Sequence, residues 1–244
     1  MKISNRDLSF FAKKHKGILG KNYIKDIKRL DADEPMDYVL GNSEFLGCII
    51  DLSFKPLIPR VETEYWTEKV IEENKGRKKI KVLDIFSGSG CIGVAVAKKL
   101  GIAEIHFADS ETDCIKQIKK NIKLNSLKSK TKVIKSDVFE NIKGKYDIIL
   151  ANPPYIPITR KKSLPVSVVR YEAKEYLFGG MAGLTIIKRF IKDLASHLNP
   201  LGIAYMEFDS GQKSQISKIV VQSGLKSSFM RDQYNKYRWV KIFR

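Results

Sequence analysis

The most chemically specific stretch of this sequence is Asn152-Pro153-Pro154-Tyr155, which comes directly after the apolar run YDIILA. Two consecutive prolines fix φ and carry no N–H, so the loop can turn carbonyl oxygens inward without a competing donor. Asn152 adds a side-chain oxygen acceptor, Pro153 and Pro154 a rigid main chain with the Pro153 oxygen free to accept, and Tyr155 a ring that packs on a planar group. Together these groups suit a planar –NH₂. They would hold both hydrogens and turn the lone pair toward an electrophile. A plain rigid loop is the alternative, but it does not explain why these groups gather directly after a strand.

Three further elements sit where strands end. In VLDIFSGSGCIG, the strand Val82 to Ile85 runs into Gly88-Ser89-Gly90 and then directly into a helix. Glycines there let the chain turn sharply and approach a ligand, with free N–H groups at the helix start facing it. Phe86 and Cys91 interrupt the full GxGxxG spacing, and a tight strand-to-helix turn alone would also want glycine. About twenty residues on, the next strand ends in Asp109, which can accept hydrogen bonds from the two ribose hydroxyls of an adenosine or simply cap the helix that starts near Thr112. Asp137, after the third strand, can meet an adenine amine with Val138 packing on the ring, or serve as a loop residue. Placed one per strand end, these elements point to an adenosine-containing cofactor.

Positioning such a site requires a regular frame, and one is legible from Ile80 onward. KIKVLDIF, CIGVAVAKKL, AEIHFAD, DCIKQIKKNIKLN, KVIKSDVF and YDIILANPP alternate β-branched runs with helical ones. That pattern predicts an α/β fold, a Rossmann-like parallel sheet with helices on both faces. Helices over Leu184–Leu198 and Gln212–Ser223, a strand over Gly202–Phe208, and extended runs near Lys226–Arg231 and Tyr237–Ile242 complete it, with a partly antiparallel end. Upstream, periodic apolar residues predict short helices over Ser4–His15, with a Ser4…Asp7 capping pair, and over Asn22–Leu30. Ser43 to Pro59 reads as a hairpin of EFLGCIID and SFKPLIP, followed by a helix over Thr63–Glu73. The expected division is a small basic helical and hairpin region at 1–63 and a catalytic domain at 64–244.

Composition bounds the rest. With 43% hydrophobic and 30% charged residues the chain is a globular protein, and no apolar run approaches the roughly 18 residues of a membrane helix. No secretory h-region is visible at its start, so a cytoplasmic protein without membrane contact is expected. Cys48, Cys91 and Cys114, like His15, His106 and His197, are scattered, which supports neither a disulfide framework, a metal site nor a histidine triad. The formal charge is +18, but 35 Lys against 10 Arg is also what a lysine-rich composition with solvated helix faces would produce. The first thirty residues stand apart, with nine Lys and Arg against two acids. That density suits contact with the ribosome or nucleic acid, or a solvated helix pair.

These motifs meet a known family. NPPY together with DIFSGSG resembles class I S-adenosylmethionine-dependent methyltransferases that act on amide or exocyclic amine nitrogens. LIPRVETE (57–64) resembles the LIPRPETE signature of the HemK/PrmC release-factor glutamine methyltransferases, with Val61 in place of proline. YVLGNSEFLG (38–47), FGGMAGL (178–184) and the D…YRWV ending are similar to further segments of that family, so the likeness spans about residues 38 to 244. Phe86 stands where many members have glycine, Ala182 replaces the usual acid, and the region before Tyr38 is about half the usual length. The resemblance implies S-adenosylmethionine as cofactor, bound by Phe86, Gly88, Ser89, Gly90, Asp109, Asp137, Val138 and Asn152. It implies Asn152, Pro153 and Tyr155 as catalytic residues and Asn152, Pro153, Pro154 and Tyr155 as the acceptor site. The implied acceptor is the glutamine of the GGQ motif in a peptide-chain release factor. Positioning of the amide nitrogen against the sulfonium methyl would supply most of the acceleration without a general base. An exocyclic amine of RNA or DNA is the alternative acceptor that the charge favours. A non-catalytic RNA-binding or assembly factor, and a nicotinamide dehydrogenase, are the readings from other classes, and NPPY argues against both.

Overall fold

Residues 11–12, 14–15, 20–77 and 79–244 are described by the computed structural model. The helix expected over Ser4–His15 and its Ser4…Asp7 pair lie largely outside the described residues. The second expected helix is α1 (Lys21–Asp31), with α2 (Met36–Leu40) after it. Arg29 ties the two helices together, donating to both oxygens of Glu34 at 2.8 and 2.9 Å and to the Tyr38 carbonyl at 2.8 Å.

The hairpin is shorter than the sequence suggests. EFLGCIID is not one strand but two, β1 (Asn42–Phe45) and β2 (Cys48–Asp51), because Leu46 and Gly47 both take positive φ, 48° and 74°, as a two-residue primed turn requires. SFKPLIP forms no strand; Pro56 and Pro59 lack the N–H groups that ladder pairing needs. Asn121 clamps the hairpin to the body: its Oδ1 accepts the Asp51 N–H at 2.8 Å, and its Nδ2 donates to the Asp51 and Ser89 carbonyls at 3.0 and 2.8 Å.

From there α3 (Val61–Glu73) leads into the sheet. β3 (Lys81–Ile85), α4 (Cys91–Leu100), β4 (Glu104–Asp109), α5 (Thr112–Leu124), β5 (Lys130–Lys135) and β6 (Tyr146–Ala151) come next in the expected alternation. Three short turns of helix, among them α6 (Val166–Tyr171) and α7 (Lys174–Leu177), occupy the stretch expected as loop. α8 (Thr185–His197), β7 (Leu198–Glu207), α9 (Lys213–Gln222), β8 (Lys226–Arg231) and β9 (Tyr237–Phe243) complete the chain.

The sheet has the order β5-β4-β3-β6-β7-β9-β8, parallel through β7, with β9 antiparallel to both its neighbours. Along the inner strands the two-residue period divides the core. Val82, Ile148 and Leu150 face the α3, α4 and α5 layer with Trp66, Val94 and Phe107, while Leu83, Ile85 and Ile149 face α8 and α9 with Phe190, Leu194 and Ile216. The chain leaves β3 toward β4 and β5 and later returns on the other side as β6, so a crevice opens beyond the carboxyl ends of β3, β4 and β6. In open α/β sheets ligands bind at such a switch point. Among the described residues no helix is long and apolar enough to cross a membrane.

Candidate active site

That crevice holds a cavity of about 310 Å³, within the size range of small-molecule sites. Its walls include Phe86, Gly88, Asp109, Val138, Asn152 and Thr63. Residues at the ends of five different elements therefore share one space.

The glycine loop is built from unusual backbone. Gly88 and Gly90 have φ of 55° and 79°, and Phe86 between strand and loop has 58°. For a bulky residue this left-handed geometry is strained by roughly 1 to 2 kcal/mol. Val138, β-branched, adopts φ of 49° on the opposite wall. Two strained side chains facing one cavity is where function-related strain is expected to gather. The Phe86 ring is held edge-on to Phe190, with centroids 5.9 Å apart. A β-carbon built on Gly88 would meet no protein atom within 4 Å, so the space before it is open to a ligand. Ser89 belongs to the lining, and its carbonyl is fixed by Asn121.

Asp109 does not cap α5, whose N-cap residue is Glu111. Its Oδ2 accepts the Gly88 N–H at 2.8 Å and its Oδ1 accepts the Glu111 N–H at 2.9 Å, which locks the end of β4 to the glycine loop. Burial pushes its carboxyl above the ordinary range, while the two backbone donors pull it down. Asp137 is exposed at the rim and pairs with Arg189 at 2.8 Å. Beneath this loop Asp84 accepts the Gly93 N–H at 3.0 Å and is fully buried. Its other oxygen has no partner, and burial pushes the carboxyl up to about 8.

Asn152 and Pro154 form part of the cavity wall. Pro153 and Tyr155 are not among the lining residues; Pro153 is buried, and the Tyr155 hydroxyl turns away to donate to Glu207 Oε1 at 2.8 Å. Glu207 Oε2 accepts the Thr63 hydroxyl at 2.6 Å and Trp66 Nε1–H at 2.7 Å. Burial raises the Glu207 carboxyl and these three donors oppose the rise. The loop is also held from behind. Gln212 Nε2 donates to the carbonyls of Tyr155 and Ala182 at 2.8 and 3.0 Å, and a β-carbon on Gly179 or Gly183 would collide with the carbonyl of Pro154 or Tyr155. Gly183 must be glycine twice over, for that approach and for its φ of 68°.

Glu207, Thr63, Gln212 and the Arg60–Glu172 ion pair, in which Glu172 is buried and Arg60 lines the cavity, are not among the site residues named from the sequence. An acid inside the apolar strand IAYMEF was the signal available for Glu207, since carboxylates are rarely buried without donors.

The set of groups suits an adenosylated sulfonium. Asp109, the open space before Gly88, and Asn152 with the neighbouring Pro154 share one cavity. The chain matches the model of the methyltransferase small domain over residues 67–199. It is 36% identical to a release factor glutamine methyltransferase of Clostridium botulinum, covering 85% of this chain and 75% of that one. It is 31% identical to that of Streptococcus pneumoniae, over 91% and 80%. Among solved structures it resembles the hMettl16 catalytic domain in complex with a MAT2A 3′UTR hairpin (TM-score 0.63, 21% identity, 81% of this chain and 76% of that one). A ribosomal protein L11 methylase of Lactobacillus delbrueckii superposes with a TM-score of 0.57 at 20% identity, over 78% and 81% of the two chains. These two likenesses concern the fold alone.

Proposed function

This chain belongs to the release factor glutamine methyltransferases, and on that premise we propose that it moves the methyl group of S-adenosylmethionine to the side-chain amide nitrogen of the GGQ glutamine in a peptide-chain release factor. One observation carries the reading: a single cavity joins Gly88 and Asp109 at the ends of β3 and β4 with Asn152 at the end of β6. When bound, S-adenosylmethionine supplies an electrophilic methyl group on a sulfonium sulfur.

The chain's own residues then do two things. Asp109, held by the Gly88 and Glu111 N–H groups, accepts from the ribose hydroxyls, while Phe86, Asp137 and Val138 border the adenosine and Ser89 and Gly90 shape the loop. Asn152 Oδ1 and the main chain of the loop that Pro153 and Pro154 stiffen accept the two amide hydrogens of the glutamine, which aims the nitrogen lone pair into the cavity. An amide nitrogen is a weak nucleophile because its lone pair is delocalised. As the nitrogen pyramidalises and gains positive charge, its N–H becomes a stronger donor, so these acceptors bind the transition state more tightly than the ground state.

The test is incubation of the purified protein with isotopically labelled S-adenosylmethionine, a purified release factor and bulk RNA, with mass spectrometry to locate the label. Label on the GGQ glutamine supports the assignment; label in RNA, or in neither, overturns it. Asn152→Ala should lower single-turnover methylation by about 10² to 10³ and leave cofactor affinity within a small factor by calorimetry. A rate within tenfold of the parent would remove Asn152 from the acceptor clamp.

A further inference from the structure

Glu207 touches no part of the cavity, yet three side chains from two other elements converge on it. It closes β7 at 1% exposure and receives Tyr155 from the loop after β6, and Thr63 and Trp66 from α3. Arg238 of β9 lies near enough to influence its charge, but is itself paired with Asp232 at 3.1 Å.

An ionised carboxylate has no proton to give, so each of these partners must donate. That constraint passes outward. Thr63 owns one hydroxyl hydrogen and spends it on Glu207 Oε2 at 2.6 Å, leaving its oxygen able only to accept. The next group along is Asn152, whose Nδ2 lies 3.5 Å from Thr63 Oγ1. An Asn amide turned the other way would bring Oδ1 against the Thr63 lone pairs, two acceptors facing each other. With Nδ2 toward Thr63, Oδ1 is left for the cavity that Thr63 and Asn152 both line. The same carboxylate fixes the far end of the tetrapeptide through Tyr155.

We propose that Glu207 is a positioning residue for methyl transfer. Through Thr63 it sets which face of the Asn152 amide meets the acceptor, and through Tyr155 it sets where the loop lies. The proposal rests on the reading of Asn152 as the acceptor clamp. Thr63 and Glu207 contact no reacting atom, and their effect is on orientation.

Thr63→Val, Thr63→Ser, Glu207→Gln and Asn152→Ala separate the two levels. Thr63→Val keeps the shape and removes the hydroxyl. Glu207→Gln keeps the shape; the donor-only Trp66 Nε1–H holds the Gln oxygen on the side of Thr63, so the new N–H points at Tyr155 and turns that hydroxyl into an acceptor, which loosens the hold on the far end of the loop. Single-turnover methylation of the release factor should fall about 10- to 100-fold in both, with cofactor affinity by calorimetry and KM for the release factor within threefold of the parent. Thr63→Ser, which restores the hydroxyl, should recover the rate to within threefold. A packing role alone would lower thermal stability without this split between kcat and KM and without rescue by serine. If Glu207→Gln fails to fold, Thr63→Val and Thr63→Ser carry the test. Folded Thr63→Val with a parental rate, beside an inactive Asn152→Ala, overturns the relay and leaves the clamp standing. An active Asn152→Ala overturns both.

Discussion

Gly183→Ala probes how the acceptor loop is held from behind. The residue has φ of 68°, where a β-carbon is strained by roughly 1 to 2 kcal/mol. The added methyl would also overlap the Tyr155 carbonyl oxygen and lie 2.6 Å from Gln212 Nε2 and 2.8 Å from the Tyr155 carbonyl carbon. Ordinary carbon contacts begin near about 3.5 Å, and the obstacle is backbone, which cannot rotate aside. The Tyr155 peptide must therefore retreat, loosening the 2.8 Å hydrogen bond from Gln212, a loss of about 1 kcal/mol. Together these effects predict a loss of about 2 to 4 kcal/mol in urea unfolding. Function should suffer more selectively. A displacement of about 1 Å in a positioning group lowers rate by about 10²-fold, so single-turnover methylation should drop by that order. Cofactor affinity should hold, because Gly88 and Asp109 sit at the ends of β3 and β4, away from this contact. Gly224→Ala is the control: its φ is 70° but its β-carbon would have no neighbour within 4 Å. It should lose about 1 to 2 kcal/mol of stability and no activity. A folded Gly183→Ala protein that methylates within threefold of the parent would refute the claim that this glycine-rich segment positions the loop.

Two further outcomes are expected. Asp109→Ala should weaken S-adenosylmethionine binding by about 1.5 to 3 kcal/mol, the range for hydrogen bonds to a charged acceptor; unchanged affinity by calorimetry in a folded variant would reduce Asp109 to a structural tie between Gly88 and Glu111. Asp84 offers a pH signature, since burial, with a smaller contribution from the Asp109 charge, pushes its carboxyl up to about 8 against the Gly93 N–H that lowers it. A group whose folded pKa is raised gives stability that is fully present below its unfolded value near 3.8 and is lost as pH rises through about 8. Urea stability should thus decline from about pH 5 to about pH 8 by at most about 1.4 kcal/mol per pH unit from this group, and Asp84→Asn should flatten the slope; an equally steep decline in that variant would place the titration elsewhere.

The alternation of strand and helix from Ile80, the glycine turn after β3, the acid ending β4 and the NPPY loop after β6 were all legible in the sequence. Each depends on neighbours within a few positions: apolar period, turn chemistry, or the fixed φ of proline. Local spacing also implied a common site, because parallel strands deliver their carboxyl ends to one edge. Where local signals were weak the reading failed. The primed turn at Leu46-Gly47 split an apparently continuous strand, and the short helices between Ile158 and Leu177 carry too few turns to show a period.

What only the tertiary structure decided is how the loop is held. The Thr63–Glu207 hydrogen bond joins residues 144 apart in the chain, and Tyr155–Glu207 joins residues 52 apart. Neither can be read from either segment's own pattern. They exist because β7 pairs in register beside β6, bringing Met206 opposite Ala151 and Glu207 one step beyond, while α3 packs across that strand end through Trp66. Burying the carboxylate makes donors obligatory, and the fold supplies them from segments that the sequence keeps far apart.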